Sequence, residues 1–493
     1  MSLDPATLAH DFDEESLGFG EPIAESAPPQ QQLGGAQKLA LALVGLGLLS
    51  LAVQVFGGPL SGTWIGLASS IGLLAVAGAW VFWLEHRGAT AGIKHDGIQF
   101  SSLLARGAAG WVAGILMTGL YVLLYWYPQY LGQAPDGGQP TGLIRVVDPL
   151  AHLMTGGPAS QWFLYGVLYT LAIIVFGVRM VMKYRHNRYH QIRTASVAFF
   201  QFALAWFLPN LLVRFQQPYM EFNGVWPLKQ NYLWPEKAAG EFQGAGPFGI
   251  FLLVFAIALV VATPILTYFF GKRWYCSWVC GCGGLAETLG DPWRQLSSKS
   301  TRSWKLERWM IHTVLVLVVG TTVALWIDYR SSGNLYGSWS GPYRQWYGFM
   351  IGAVFSGVVG VGFYPLLGNR VWCRFGCPQA AILGIFQRFF SRFRITTNGD
   401  QCMSCGNCST YCEMGIDVRA YAEKGENIVR ASCVGCGVCS AVCPRGVLKL
   451  ENGMTHADRY AGSDMPFKAF LDSLEHTPKL VMTPDERKPV GTK

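Results

Sequence analysis

Eight of the thirteen cysteines lie between Cys402 and Cys443, in two copies of one spacing. The first copy is Cys402-x-x-Cys405-x-x-Cys408-x-x-x-Cys412, and the second is Cys433-x-x-Cys436-x-x-Cys439-x-x-x-Cys443-Pro444. Thiolates in this pattern are ligands for iron–sulfur cubes: a tight loop reaches three iron corners, and the fourth cysteine crosses to the neighbouring cube. The spacing therefore assigns Cys402, Cys405, Cys408 and Cys443 to one [4Fe–4S] cluster. Cys433, Cys436, Cys439 and Cys412 go to a second. Gly406, Gly435 and Gly437 are expected to let the backbone come close to the sulfides. Disulfides and zinc sites also use paired cysteines, but a doubled three-plus-one run is unusual for either. Glu413 stands after Cys412 where Pro444 follows Cys443. That removes no ligand, but it places a charge where it bears on the potential of the cluster that Cys412 closes.

The other five cysteines are Cys276, Cys280, Cys282, Cys373 and Cys377, and four of them belong to an internal repeat. Gly271-Lys-Arg273-Trp-Tyr275-Cys276-Ser-Trp278-Val-Cys280 matches Gly368-Asn-Arg370-Val-Trp372-Cys373-Arg-Phe375-Gly-Cys377. Cysteines four apart share one helical face, so each copy is expected to present two thiols in one direction. Two such pairs at one depth supply four sulfurs, enough for a third cluster or for a soft metal such as Cu(I). The plainer reading is structural, with cysteine as a small apolar residue and Gly, Arg and aromatics as helix stop and interface anchor. Cys282 is either a spare ligand or a small residue.

The elements that must carry these residues are membrane helices. The chain is 51% apolar and 14% charged, with 18 tryptophans, and its mean hydropathy is +0.27. Eight apolar stretches approach or exceed the roughly 20 residues that cross a bilayer: Leu39 to Phe56, Thr63 to Leu84, Ala108 to Tyr127, Trp162 to Met182, Ser196 to Val213, Phe248 to Phe270, Met310 to Ile327 and Trp346 to Leu367. The fold class expected is a membrane all-α protein with a small cytoplasmic α+β two-cluster ferredoxin-like domain. Its expected parts are an acidic disordered tail (1–36), a five-helix membrane region (37–214), a three-helix region with the repeated CxxxC motifs (215–394), the two-cluster domain (395–452) and a polar tail (453–493).

Orientation is read from Lys and Arg near the helix ends. Arg179 to Arg193 holds five basic residues and Gly271 to Arg308 holds seven, whereas 133–160 and 331–342 hold almost none. The basic connections are therefore expected in the cytoplasm, with both termini and the cysteine-rich domain, where clusters survive. The location expected is a bacterial inner membrane. The net charge of +8 is mostly this bias and does not argue for nucleic acid. Residues 1–35 lack the basic start and short apolar core of a signal peptide.

These motifs carry a family resemblance. The chain resembles membrane polyferredoxins of the NosR/NapH/CcoG type, which share two C-x-x-x-C-P motifs at membrane helix ends and a cytoplasmic two-cluster domain. Cys373-x-x-x-Cys377-Pro378 fits fully, while Cys276-x-x-x-Cys280 is followed by Gly281. The resemblance covers about residues 248 to 450 and leaves the five upstream spans unaccounted for. It implies electron transfer at or across the membrane, as an oxidoreductase component. The expected partners are the lipid bilayer, a cytoplasmic redox protein, and quinone or another membrane subunit. An alternative implied by the copper-reductase members is delivery of Cu(I) to a metalloenzyme under assembly.

Other candidates are weaker. His186 and His190, with His86 and His95, are expected at the interface and not as haem ligands. His312, near the inner end of the seventh span, is an ionisable group in an apolar helix. There is no phosphate-binding loop, dinucleotide fingerprint or nucleophile triad. The Pro218 to Trp234 and Asn334 to Tyr347 connections are rich in aromatics and suit the belt at the outer surface.

Overall fold

The computed structural model describes residues 34–87, 107–135, 138–333, 339–398 and 401–452. The acidic segment 1–33, the tail from 453 onward, His95 and residues 334–338 lie outside the described residues. Among the described residues eight helices are long and apolar enough to cross a membrane: Gly35–Val55, Trp64–Arg87, Gly107–Trp126, Gln161–Lys183, Arg188–Arg214, Gly246–Phe270, Thr301–Arg330 and Ser340–Gly362. Large apolar side chains such as Trp111, Ile115, Val254 and Val316 are exposed along them, as lipid-facing positions must be. The protein is thus mostly helical and multi-pass.

Several span boundaries differ from the hydropathy reading, and two of them have a clear local reason. The fifth helix begins at Arg188, well before Ser196, because the Asn187 side chain accepts hydrogen bonds from the Tyr189 and His190 amides at 3.0 and 3.4 Å. Its first turns bury His190 and Arg193, which hydropathy assigned to an exposed basic loop. The eighth helix stops at Gly362, and a short helix, Tyr364–Leu367, restarts with Pro365 in its first turn.

The sixth span ends at Gly271 and the short Tyr364–Leu367 helix at Gly368, the two equivalent glycines of the internal repeat. Both take left-handed φ, +70° and +93°. A Cβ would stand 2.6 Å from the Phe393 Cβ at the first and 2.4 Å from the Ser297 Oγ at the second. Only glycine meets both demands.

After the helix Pro378–Phe389 the chain enters a small module built on two antiparallel strands, β1 (Phe393–Thr397) and β2 (Leu448–Asn452), with Ile395 opposite Leu450. Ile428 adds one bridge to Ile395. Three short helices (Asn407–Thr410, Val418–Glu423 and Val438–Ala441) lie between the two strands in sequence. Its apolar core (Phe393, Ile395, Met414, Ile416, Val434, Leu448) is continuous with Tyr275, Cys276, Cys280, Trp372 and Cys377 of the membrane part. Module and membrane part therefore share one core.

The Pro218 to Trp234 connection departs from the expected belt. The Phe222 amide donates to the Leu204 carbonyl in the middle of the fifth span (3.0 Å). The Asn223 side chain reaches the Val279 carbonyl at 3.4 Å, and the Tyr275 hydroxyl donates to the Asn223 carbonyl at 2.9 Å. The segment thus folds back between the helices to the first cysteine repeat. Buried backbone polar groups must find partners, and these supply them.

Candidate metal centres

The two copies of the eight-cysteine run form equivalent turns. In each, the third cysteine rides a one-turn helix, Cys408 in Asn407–Thr410 and Cys439 in Val438–Ala441. The fourth sulfur of each copy accepts a backbone amide four residues on, from Ile416 to Cys412 and from Val447 to Cys443, both at 3.4 Å.

The turns enclose two cavities. A distal one is lined by Cys402, Cys405, Cys408 and Cys443. A proximal one is lined by Cys412, Cys433, Cys436 and Cys439. Each cavity therefore collects three cysteines from one copy and the fourth from the other. All thirteen cysteines are free thiols. A single tetrahedral ion with metal–sulfur bonds of about 2.3 Å draws its sulfurs to within roughly 4 Å of one another. Among the described residues no three cysteine sulfurs lie within 4.8 Å of one another, which fits a group larger than one ion. Burial pushes the Cys433 thiol up to about 11 and the Cys408 thiol up to about 12. Metal ligation requires the thiolates, so loading these sites releases protons.

The proximal loop is held to the membrane part along its backbone. The carbonyls of Arg430 and Cys433 both accept from the Gln387 side-chain amide at 2.7 Å. Those of Ala431, Val434, Gly435 and Cys436 accept from Lys272 (3.2 Å), Ser277 (2.8 Å), Tyr189 (2.8 Å) and Arg193 (2.6 Å). The donors come from the fifth span, the first cysteine repeat and the helix after the second. Gly435 and Gly437 serve this contact: a Cβ would meet Arg273 at 2.7 Å and Tyr189 at 2.9 Å respectively. At Gly406, in the distal loop, a Cβ meets open space.

Behind the proximal cavity lies a buried ion network that the spacing of the cysteines does not announce. Glu287 pairs with Arg193 and Arg370, both at 2.6 Å. Glu413 pairs with Arg294 at 2.8 Å and Arg370 at 3.0 Å. Asp291 pairs with Arg179 (2.6 Å), Lys183 (3.0 Å) and Arg294 (3.3 Å). Burial alone would raise the Glu413 carboxyl, but Arg370 and Arg294 outweigh it and hold it down to about 2. Asp291 is held well below the usual carboxylate range, the opposing effect of burial being overcome by Lys183, Arg179 and Arg294. Five basic side chains face three carboxylates, so the network carries a formal excess of two positive charges. Glu287, Glu413 and the Cys436 sulfur lie within 4.8 Å of one another. Because guanidinium groups already neutralise both carboxylates, this trio is not a further cation site. A cationic excess against four thiols fits an anionic group in the proximal cavity.

The repeated CxxxC pairs are brought together, though not on single helices. Cys276 ends the short helix Arg273–Cys276, and Cys280 is extended (φ −72°, ψ 125°) before the next helix, Gly281–Glu287. Cys373 lies in the turn Trp372–Gly376, and Cys377 (φ −81°, ψ 111°) caps Pro378–Phe389, accepting the Ala380 amide at 3.4 Å. Each pair spans a helix break, because Pro378 and Gly281 start new helices directly after Cys377 and Cys280. All four cysteines are buried. Burial pushes Cys276 up to about 12 against the pull of Lys272 and Arg370. Cys282 lies on the far side of this layer, its thiol lowered to about 7 by hydrogen bonding to Cys280 and, more weakly, to Tyr169.

Of the histidines, His190 is buried and stacks on Tyr184 at 4.6 Å, beside Arg193 at 3.1 Å. His86 is buried against the Phe82 carbonyl at 3.0 Å, whereas His186 and His312 are exposed.

Comparison with known proteins bears on the same segments. The 4Fe-4S dicluster domain family matches residues 394–444. The 4Fe-4S binding domain family matches twice, over 248–300 and 349–396, and so covers both cysteine repeats. The three matched segments hold all thirteen cysteines. Relatives include a protein of Escherichia coli K12 provisionally named electron transport protein YccM, 27% identical over 33% of this chain and 47% of the relative. The methylamine utilization ferredoxin-type protein MauN of Paracoccus denitrificans is 28% identical over 42% of this chain and 70% of its own length. An uncharacterized protein of Methanocaldococcus jannaschii is 26% identical over 36% and 65%. The first and third matches thus span less than two thirds of those relatives. No solved structure matches the chain significantly. The chain is thus similar to 4Fe-4S proteins over its cysteine-bearing segments, which sit in a frame of membrane-length helices.

Proposed function

We propose that the protein relays single electrons between a cytoplasmic redox protein and a membrane partner, either quinone or another subunit. In this reading Cys402, Cys405, Cys408 and Cys443 hold one [4Fe–4S] cluster at the distal cavity. Cys412, Cys433, Cys436 and Cys439 hold a second at the proximal cavity, and Cys276, Cys280, Cys373 and Cys377 hold a third redox group. When bound, such clusters exchange single electrons without breaking bonds. The observation that carries the reading is the order of the three cysteine sets. Cys405 is exposed, the proximal loop is docked on the membrane part, and the CxxxC cysteines lie beneath it.

The chain's own residues account for that order. Met403, Ser404 and Cys405 leave the distal cavity open to a partner. Gln387, Lys272, Ser277, Tyr189 and Arg193 fix the proximal loop and exclude water from it. The shared apolar core keeps the Cys276, Cys280 and Cys377 layer in register with the module. The basic connections at 179–193 and 271–308 lie on the module's side of the spans. They support a cytoplasmic module in a bacterial inner membrane.

The test is iron and acid-labile sulfide counting with EPR on the reduced, detergent-solubilised protein. Two clusters give about eight irons and three give about twelve, with copper counted separately. Protein that retains neither iron nor sulfide when prepared anaerobically would sink the proposal.

A further inference from the structure

The buried Arg370 side chain contacts both the CxxxC layer and the proximal cavity. Its Nη1 donates to the Cys276 carbonyl at 3.1 Å and lies 3.7 Å from the Cys373 sulfur. Its Nη2 pairs with Glu287 at 2.6 Å and with Glu413 at 3.0 Å. Glu413 follows Cys412 and lines the proximal cavity. Arg370 is 1% exposed, so solvent does not screen its charge.

The equivalent arginine of the first repeat does something else. Arg273 donates to the Phe270 carbonyl at 3.1 Å and lies 4.5 Å over the Phe393 ring. Equivalent sequence positions therefore have different surroundings, and the arginine that reaches both Cys373 and Glu413 belongs to the second copy.

Reduction makes an iron–sulfur group more negative by one electron. A fixed, buried cation beside it favours the reduced form and raises its potential, more so where water is excluded. Around the proximal cavity the cationic excess is buried. At the distal cavity the lining charges, Arg419 and Arg445, are exposed and screened.

We propose that Arg370 is a positioning residue that sets the redox step between the layers. Its fixed charge, bonded to Cys373 and Glu413, raises the reduction potential of the group held by Cys412, Cys433, Cys436 and Cys439 above that of the distal group. This rests on the assignment of iron–sulfur groups to the two cavities. The change it governs is one electron gained from the redox partner, with no bond broken and no proton moved.

The experiment is an EPR-monitored dithionite titration of the full-length protein in detergent, with Cys405→Ser used to identify the distal signal. Arg370→Gln should lower the reduced-to-oxidised ratio of the proximal signal at least tenfold at fixed potential, equivalent to about 59 mV for one electron. The distal signal should stay in place, and Arg370→Lys should restore most of the shift. Glu413→Gln, which removes the opposing charge, should move the proximal signal the other way. An unmoved proximal potential in Arg370→Gln, or an equal shift of both signals, overturns the proposal. If Arg370→Gln does not assemble, Glu413→Gln decides alone: a rise supports the proposal and a constant potential overturns it. Wild-type protein without iron and sulfide overturns the functional reading itself, whereas loaded protein with unmoved potentials overturns only the role of Arg370.

Discussion

Around the distal cavity Met403, Cys405, Pro444 and Arg445 are exposed. Around the proximal cavity Cys433 and Cys439 are buried, and the carbonyls from Arg430 to Cys436 are held by side chains of the membrane part. The ligand spacing of the two copies is identical, so spacing alone does not set the environment. What differs is the residue beside the fourth cysteine, Glu413 in one copy and Pro444 in the other. Glu413 takes two guanidinium groups into the interior, and Pro444 remains at the surface. The same device is thereby specialised at one end for docking and at the other for access.

The comparison can be broken most directly at the ligands. Cys436→Ala and Cys405→Ala should each remove about half of the module's roughly eight irons. Only Cys436→Ala should also free the module to limited trypsin digestion, and equal release by both variants would erase the distinction. The next largest contrast concerns charge. Arg294→Met leaves Glu413 and Asp291 short of a partner in the interior and should cost about 3–5 kcal/mol in unfolding measurements. Arg419→Ala, which breaks an exposed 3.5 Å pair with Glu423, should cost under about 1 kcal/mol.

A smaller test compares glycines. Gly406 and Gly435 both have left-handed φ, +77° and +61°, so alanine strains either by about 1–2 kcal/mol. Gly435→Ala adds a 2.7 Å contact with the Arg273 Cβ that Gly406→Ala lacks. It should therefore be the worse by at least about 1 kcal/mol. Matching losses in thermal unfolding would show that the docked loop yields more easily than its contacts imply. At a single hydrogen bond, Ser277→Ala deletes the 2.8 Å bond to the Val434 carbonyl and should cost about 1 kcal/mol. The readout is faster amide exchange in the proximal loop, with the distal loop unchanged.

Much of this architecture was legible because it is local. Ligand spacing is set by the reach of a short loop around one cluster, so the two equivalent turns could be read from the cysteine positions alone. Eight apolar runs are a one-dimensional signal of bilayer thickness, and they marked the helices to within a few residues at most ends. Glu413 stood out as a charge in the place of a proline, although its partners did not. The reading of each CxxxC pair as one helical face failed because residue period alone does not register a helix break at Gly281 or Pro378.

What only the tertiary structure decided is which distant residues meet. Arg193 reaches Glu287, Arg294 reaches Glu413 and Arg370 reaches Glu287 across 94, 119 and 83 positions of sequence. In the sequence these arginines count simply as basic residues on one side of a membrane. In the fold they are buried, because each has a carboxylate within hydrogen-bond reach to offset its desolvation. The return of residues 221–225 to the first cysteine repeat is likewise invisible in composition, which sees only aromatics near an interface. Cysteine chemistry and helix count follow from short-range pattern. The order of the cysteine sets, and the charge placed between them, follow from packing across the whole chain.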